Sequence, residues 1–236
     1  MREILGRRRR LRSRDRTAQL DAALTCATEW QWPVLPGVGL QAADGRGEGG
    51  CACLDPECAV PGAHPLEPGL LAATAEPRMV RWWWTNRPTA PVVLATGGRA
   101  PCALSLPAAV GAGALAELDR MGVRLGPVVA TPTRWSLLVA PYTLERLGEL
   151  LHAQDWVPSS LRFHGEGGYL VLPPSGTGAG QVRWVRAPAR VSGLRLTGGE
   201  SVAAAASPWL PDVGAVLDAL VEASNSAPDG GSRLAY

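Results

Sequence analysis

The sequence predicts an α+β fold, and three observations support this prediction. Short apolar runs typical of β-strands are interspersed with segments in which apolar residues recur every three or four positions, as in amphipathic helices. The second half of the chain is rich in strand signals, which favours α+β over a doubly wound parallel sheet. A Gly- and Pro-rich stretch, residues 37–69, has almost no apolar periodicity. A loop of that length inside a compact domain needs its own source of order.

The predicted elements follow from this periodicity and from local turn signals. Thr143 can cap a helix whose apolar stripe includes Leu144, Leu147 and Leu151. Residues 161–164 and 168–172 flank a Gly-rich turn and are predicted to form a hairpin. Helices are predicted over residues 17–30, 70–84, 109–121, 143–153 and 213–223. Further strands are predicted over residues 91–96, 102–106, 128–131, 136–140 and 182–185.

Charge is unevenly distributed along the chain. Residues 1–20 contain eight Arg and two acidic residues, whereas the remaining chain has 15 Arg and 19 acidic residues. We therefore predict a basic flexible arm over residues 1–16, a domain over residues 17–223 and a disordered polar tail over residues 224–236. The arm can bind nucleic acid through phosphate contacts, although charge runs of this kind are also common as solvated tails. The N-terminus lacks the apolar stretch of a secretory signal, so we expect a cytoplasmic protein without a membrane span.

Four metal-capable side chains lie within fourteen residues of the Gly- and Pro-rich stretch. They follow the spacing C-x-C-x4-C-x5-H and are Cys51, Cys53, Cys58 and His64. Three thiolates and an imidazole are a standard ligand set for structural zinc, and metal binding would order a loop that has no core. A disulfide framework is one alternative, but nothing in the sequence directs the chain to an oxidising compartment. A set of unrelated buried thiols is another, but this loop has no core to bury them in. We therefore predict a structural zinc in a loop over residues 49–65; Cys102, in an apolar strand, is expected to be a core residue.

The same loop, residues 51–66, resembles a segment of the bifunctional DNA primase/polymerase (Prim-Pol) domain, and the chain is identified as a member of that family. The sequence of residues 165–175, GEGGYLVLPPS, is similar to the most specific motif of the family. Further motifs occur in the family's order at Trp32–Pro36, Arg81–Pro88, Ala95–Gly97 and Thr131–Thr133. The absence of Lys and the high Ala, Gly and Pro content suggest a GC-rich bacterial source, of actinobacterial type. The resemblance covers roughly residues 20–210.

The resemblance implies an archaeo-eukaryotic primase fold, with an α/β module joined to an RRM-like module. It also implies nucleotidyl transfer with two divalent metals, which requires carboxylate ligands because Mg²⁺ and Mn²⁺ prefer oxygen. The family's Asp-x-Asp positions are occupied here by Ser105 and Pro107, and its third Asp by Arg162. Leu137 stands at the family's triphosphate-contacting His. We therefore expect no catalytic residues and no catalytic Mg²⁺ or Mn²⁺.

The side chains left in the region of the family's active site favour an anion over a metal. By the resemblance, a nucleotide or other anion would contact Arg134, Arg162, His164 and Ser175. The resulting hypothesis is a catalytically degenerate Prim-Pol-like domain that binds nucleic acid or a nucleotide, or acts as a regulatory scaffold. One alternative is an active but diverged primase/polymerase. A second is a protein-interaction factor, which the acidic body of the chain favours over a DNA channel.

Overall fold

The computed structural model describes residues 17–41, 50–66, 69–189 and 207–225. The predicted arm, residues 1–16, and all of the predicted tail after Asn225 lie outside these residues. The helices are α1 (residues 17–24, continued by a π-helical turn over Thr25–Glu29), α2 (Pro77–Asn86), α3 (Ala108–Arg120), α4 (Leu144–His152) and α5 (Val213–Asn225). The strands are β1 (Val34–Pro36), β2 (Val92–Ala95), β3 (Cys102–Pro107), β4 (Val128–Ala130), β5 (Arg134–Val139), β6 (Arg162–His164), β7 (Tyr169–Leu172), β8 (Gly176–Thr177), β9 (Gly180–Gln181) and β10 (Arg183–Arg186). This mixture of elements confirms the α+β prediction.

The chain divides into two compact units. Among the described residues, the first contains the chain up to Ala95 together with Tyr169–Arg183 and Ser207, and the second contains Thr96–Gly168, residues 184–189 and the chain from Pro208. The first unit has an antiparallel sheet in the order β1-β2-β7. Its strands are buried along almost their whole length, as the continuous apolar sequence of β2 requires.

Helix α2 begins later than its apolar pattern predicts. The sequence indicates a helix from residue 70, but only a 3₁₀ turn forms there, over Leu70–Ala72. The backbone then pairs with β1, since Thr74 and Val34 exchange amide–carbonyl hydrogen bonds of 3.0 and 3.1 Å. Pro77 occupies the first helical position and the Glu76 carboxylate accepts a hydrogen bond from the Arg78 amide. These start signals fix the helix at residue 77.

The second unit has a five-stranded sheet in the order β10-β4-β5-β3-β6, in which β4, β5, β3 and β6 pair antiparallel. Helices α3 and α5 pack against a core formed by alternate residues of its strands. Leu104 and Leu106 of β3 belong to that core, and Cys102 is buried there as predicted. Ser105, between the two leucines, lies on the opposite face of the sheet. Helix α4 starts where predicted, since the Thr143 hydroxyl accepts a hydrogen bond from the Arg146 amide.

The predicted hairpin between residues 161–164 and 168–172 is wrong. β6 pairs with β3, whereas β7 pairs with β2 of the other sheet. β6 therefore belongs to the second unit and β7 to the first, and the turn at Gly165–Gly168 connects them in the chain. The local sequence suggests a hairpin because two apolar runs flank glycines, but the long-range strand partners determine the pairing. Within the described part of the chain, no helix is long and apolar enough to cross a bilayer.

Candidate metal centre and candidate anion site

The structure brings the four predicted metal ligands together. The ligand atoms of Cys51, Cys53, Cys58 and His64 all lie within 4.8 Å of one another. Tetrahedral zinc with sulfur ligands at about 2.3 Å separates its sulfurs by about 3.8 Å, so a small contraction would close this cluster around one ion. The donor set and the spacing both fit, and the cluster could hold a metal such as zinc.

Hydrogen bonds orient the ligands of this cluster. The Gly62 amide donates to the Cys51 sulfur at 3.3 Å, and the positive φ of Gly62, 68°, allows the chain to turn there. The His64 Nε2 atom lies 3.2 Å from the same sulfur. Its Nδ1 atom lies 3.1 Å from the Pro65 carbonyl oxygen, a contact that leaves Nε2 as the metal-facing nitrogen.

The cysteine loop, the segment that carries the ligands Cys51 to His64, has no apolar core of its own. Backbone hydrogen bonds anchor its ends to the rest of the first unit. Isolated β-bridges join Leu40 to Cys51 and Gly37 to Pro65, directly after β1. The Val38 amide donates to the His64 carbonyl at 3.0 Å. The Gly178 amide, beyond β8, donates to the Pro61 carbonyl at 2.8 Å. These backbone contacts therefore hold the cysteines near one another. The interior of the loop contains the ligand atoms instead of apolar side chains.

The thiols differ in acidity. Burial raises the pKa of Cys51, but hydrogen bonds from the Gly62 and Cys53 amides and from His64 outweigh it and lower the pKa to about 6. A hydrogen bond from the Val60 backbone lowers the pKa of Cys58, but desolvation and the neighbouring Cys51 and Cys53 sulfurs raise it to about 11. The Cys51 thiolate therefore forms readily, and its negative charge opposes ionisation of the Cys58 thiol. A bound cation would remove that repulsion, as in thiolate metal sites generally.

The three residues that the resemblance assigns to the family's carboxylate positions lie near one another in the second unit. Ser105 of β3 stands directly opposite Arg162 of β6, and Pro107 stands opposite Arg134 of β5. His164 is the partner of Ala103, two residues from Ser105 and on the same face of the sheet. Ser105, Pro107 and Arg162 are therefore neighbours in space, although Arg162 is more than fifty residues from the other two in sequence.

Arg134 is the centre of this group. Its Nε donates to the Ser105 hydroxyl at 3.2 Å, and its Nη2 donates to the carbonyl oxygens of Ser105 and Ser160, each at 2.7 Å. The Ser105 hydroxyl also lies 3.1 Å from His164 Nε2. Ser105 therefore links Arg134 to His164. In the sequence, Ser105 is notable only because the resemblance expects an acidic residue there. Its contacts to Arg134 and His164 become visible only once the strand register is known.

The electrostatics of this group favour an anion. Burial, and then the neighbouring charge of Arg162, lower the pKa of Arg134 to about 10. Arg134 remains charged at neutral pH, and within the described residues no carboxylate forms an ion pair with Arg134 or Arg162. Arg162 is exposed and His164 is partly buried. Two adjacent guanidinium groups without an acidic partner form an environment that an anion would stabilise.

The remaining predicted residues have other environments. Ser175 belongs to the first unit, where its hydroxyl is fully buried and accepts a hydrogen bond of 2.8 Å from the Val92 amide. Leu137 is part of the apolar core of the second unit. Glu166, in the turn between β6 and β7, is exposed. It is the acidic residue nearest in sequence to Arg162 and His164.

One protein family matches the chain, over the greater part of its length. A sequence model of the family described as bifunctional DNA primase/polymerase, N-terminal (Prim-Pol) aligns with residues 23–206. The aligned range includes the cysteine loop, β3, β5 and β6. Neither a curated protein nor a solved structure matches the chain significantly.

Proposed function

The chain belongs to the bifunctional DNA primase/polymerase N-terminal (Prim-Pol) family, and from this premise we propose that it is a catalytically degenerate member that binds a nucleotide or nucleic acid. The observation that most supports this proposal is that Ser105, Pro107 and Arg162 lie close together. These are the three positions at which the family resemblance requires carboxylates. The domain would act as a binding or regulatory module instead of a polymerase.

The chemistry of the family supports the loss of catalysis. Two divalent cations in nucleotidyl transfer are held by anionic oxygens, and a hydroxyl, a proline and a guanidinium cannot replace three carboxylates. Arg162 also reverses the charge at its position, so a cation there would meet repulsion from Arg162 and Arg134. Glu166 is a single carboxylate and cannot organise two cations.

The same side chains support binding of a phosphate group without a metal. In the proposed site Arg134 and Arg162 neutralise the charge that cations neutralise in active members of the family, and His164 adds a further hydrogen-bonding group. Ser105 fixes Arg134 and His164 relative to each other. Ser175 remains a separate candidate for anion contact in the first unit, through the resemblance alone, and its hydroxyl accepts a hydrogen bond from the Val92 amide.

The cysteine loop is proposed to carry one structural zinc held by Cys51, Cys53, Cys58 and His64. The four ligands leave no position for a substrate or a reacting water, which is typical of structural sites. The proposed role of zinc is to order the loop in the first unit. The N-terminal Arg arm is proposed as an additional, sequence-independent contact to nucleic acid.

A metal-free binding measurement tests the proposal most directly. Calorimetric titration of the full chain with tripolyphosphate, in buffer without added Mg²⁺ or Mn²⁺, should show binding, and Arg162→Gln should weaken it by at least about tenfold. Arg146→Gln is a matched control, because Arg146 is an exposed arginine that pairs with Glu149. Binding that requires Mg²⁺ or Mn²⁺ would instead favour the diverged enzyme. No binding under either condition would favour the protein-interaction factor.

A further inference from the structure

We propose that the solvent face of α2 is a second binding surface, which holds single-stranded nucleic acid by stacking a base on Trp82 and pairing its phosphates with Arg78 and Arg81. This surface lies in the first unit, whereas the proposed anion site at Arg134 and Arg162 lies in the second. The inference therefore rests on different residues from those of the proposed function.

The helical geometry places the relevant side chains on one stripe. At about 100° per residue, Arg78, Arg81, Trp82 and Thr85 fall within an arc of about 100° that is roughly 10 Å long. All four are exposed. Val80 and Trp84 point to the opposite side and are fully buried. The burial of that side fixes which side of the helix faces solvent.

The stripe is strongly basic. The helix itself contains no acidic residue, and the carboxylate of Glu76, just before it, accepts a hydrogen bond from the Arg78 amide. Among the residues that the structure describes, no ion pair involves Arg78, Arg81 or Arg87. Surface arginines on this protein's other helices do pair with acids, as Arg120 does with Glu117 and Arg146 with Glu149. The α2 stripe thus presents uncompensated positive charge, which favours an anionic partner.

Trp82 adds an exposed aromatic surface to this charge. Its side chain is 61% exposed, and it has no ring contact with another aromatic residue in the described part of the chain. The helix beneath it is held firmly, since Trp84 Nε1 donates to the Ala90 carbonyl at 3.0 Å and Trp83 packs edge-on against Trp84. An exposed indole on a firmly held helix, with two arginines on the same stripe before it, is suited to base stacking with neighbouring phosphate contacts.

The surface continues past the C-terminal end of the helix. Asn86 is one helical turn after Trp82 and donates to the Trp82 carbonyl at 2.7 Å. Asn86, Arg87 and Thr89 line an open cavity of about 480 Å³. Backbone of Gly37 and Gly39 forms part of its wall. The cavity can admit a further nucleotide, whose phosphate Arg87 would contact.

The pattern favours nucleic acid over the other anionic partners. A membrane surface would require an apolar face for insertion, but the apolar face of α2 is buried in the protein. An acidic peptide would satisfy the arginines but has no flat π-system for Trp82. A single strand alternates phosphates with bases, and its bases are free to stack because they are not paired.

The test measures affinity of the full chain for labelled short strands by fluorescence anisotropy. One strand is oligothymidylate, and the other is an abasic strand of the same length, which has the phosphates without the bases. Trp82→Ala should weaken oligothymidylate binding about tenfold and leave abasic-strand binding unchanged. The Arg78→Gln/Arg81→Gln double variant should weaken both and reduce the salt slope by about 1.4, since each single-strand phosphate contact contributes about 0.7.

Matched controls and competitors define the outcomes. Trp156→Ala removes a tryptophan that is 49% exposed in the second unit, and it should change neither affinity. Equal affinities of Trp82→Ala and Trp156→Ala for oligothymidylate would overturn the stacking proposal. Tighter binding to anionic lipid vesicles or to polyglutamate than to oligothymidylate, lost in the double variant, would overturn the choice of partner. Because tripolyphosphate binding is measured separately, failure here leaves the proposed anion site untouched.

Discussion

Arg134 donates from Nε at 3.2 Å to the hydroxyl of Ser105, the residue to which the resemblance assigns the family's first metal-binding carboxylate. A guanidinium here is held by a hydroxyl and by two carbonyls, and it has no ion-pair partner within the described residues. The Arg134 guanidinium is partly buried, and this loss of hydration, followed by the charge of Arg162, lowers its pKa to about 10. If the positions that the resemblance assigns are right, a fixed cationic group stands where the family holds its cations.

The first prediction concerns anion-dependent stability. Tripolyphosphate should raise the melting temperature of the full chain more than sodium chloride does at equal ionic strength, because a bound anion offsets the uncompensated charge. Arg162→Gln should abolish the difference, and because Arg162 is exposed this variant should fold. Differential scanning fluorimetry in buffer without added divalent cations measures the effect. Arg120→Gln, at an exposed arginine paired with Glu117, should behave like the wild type, and an unchanged response of Arg162→Gln would contradict the assignment.

The second prediction concerns the turn next to the proposed site. Gly97 has a φ of 93°, and a Cβ there would lie 2.4 Å from the Glu166 Cα. Gly97→Ala should therefore lower the free energy of unfolding by at least about 2 kcal/mol, through backbone strain and a contact that cannot relax cheaply. Gly98→Ala is the matched control, since its φ is 62° but a Cβ there would meet nothing within 4 Å. Urea unfolding should show a loss of only about 1 kcal/mol for that variant. Equal losses would show that the close approach to Glu166 is unimportant.

How far the sequence predicts this molecule depends on the range of the interactions involved. The metal cluster is predictable because its four ligands are close in sequence and share one Gly- and Pro-rich loop. The Thr143 cap is predictable for the same reason, since it acts within one helical turn. The partners of β6 and β7 are not, because an alternating apolar pattern identifies a strand but not its neighbour. The Arg134–Ser105–His164 contacts depend on that register, so only the structure reveals them.

The third prediction concerns the metal. Protein purified without added metal should contain one zinc per chain by elemental analysis, because the cluster offers a complete Cys₃His set. Cys53→Ser should lower the zinc content and the melting temperature, as metal binding orders the loop. Cys102→Ala is a control for loss of a cysteine outside the loop, and its zinc content should be unchanged. Zinc near zero in fully reduced wild-type protein would refute the assignment.

The fourth prediction concerns the basic arm, residues 1–16. Deleting it should weaken binding to duplex DNA and make that binding less dependent on salt, because each lost phosphate contact reduces the slope by about 0.9. Titrations at two salt concentrations provide the measurement. A variant in which only Arg2 and Arg16 are changed to Gln tests whether the central run of arginines is responsible. Unchanged affinity and slope after deletion would assign all binding to the described body of the chain.

The fifth prediction concerns catalysis. The metals of a nucleotidyl transferase bridge the primer hydroxyl and the triphosphate, and carboxylates must hold them. The resemblance assigns two of these carboxylate positions to Ser105 and Arg162, which face each other, and no acidic residue occurs between Arg99 and Val110. We therefore expect no templated primer synthesis or extension with Mg²⁺ or Mn²⁺. The assay follows incorporation of labelled nucleotides by clean protein on a single-stranded template, with an active Prim-Pol enzyme as positive control.

An activity in that assay would have an identifiable source. Glu166 lies in the turn that follows β6 and is the one acidic residue between Arg162 and Tyr169. Templated incorporation that Glu166→Gln abolishes would establish a diverged enzyme with a substitute carboxylate. Incorporation that survives Glu166→Gln, and that Arg134→Gln also leaves unchanged, would point to a contaminating polymerase. Absence of incorporation together with metal-free tripolyphosphate binding is the combination that the structure leads us to expect, because two uncompensated arginines attract phosphate and repel the cations that catalysis needs.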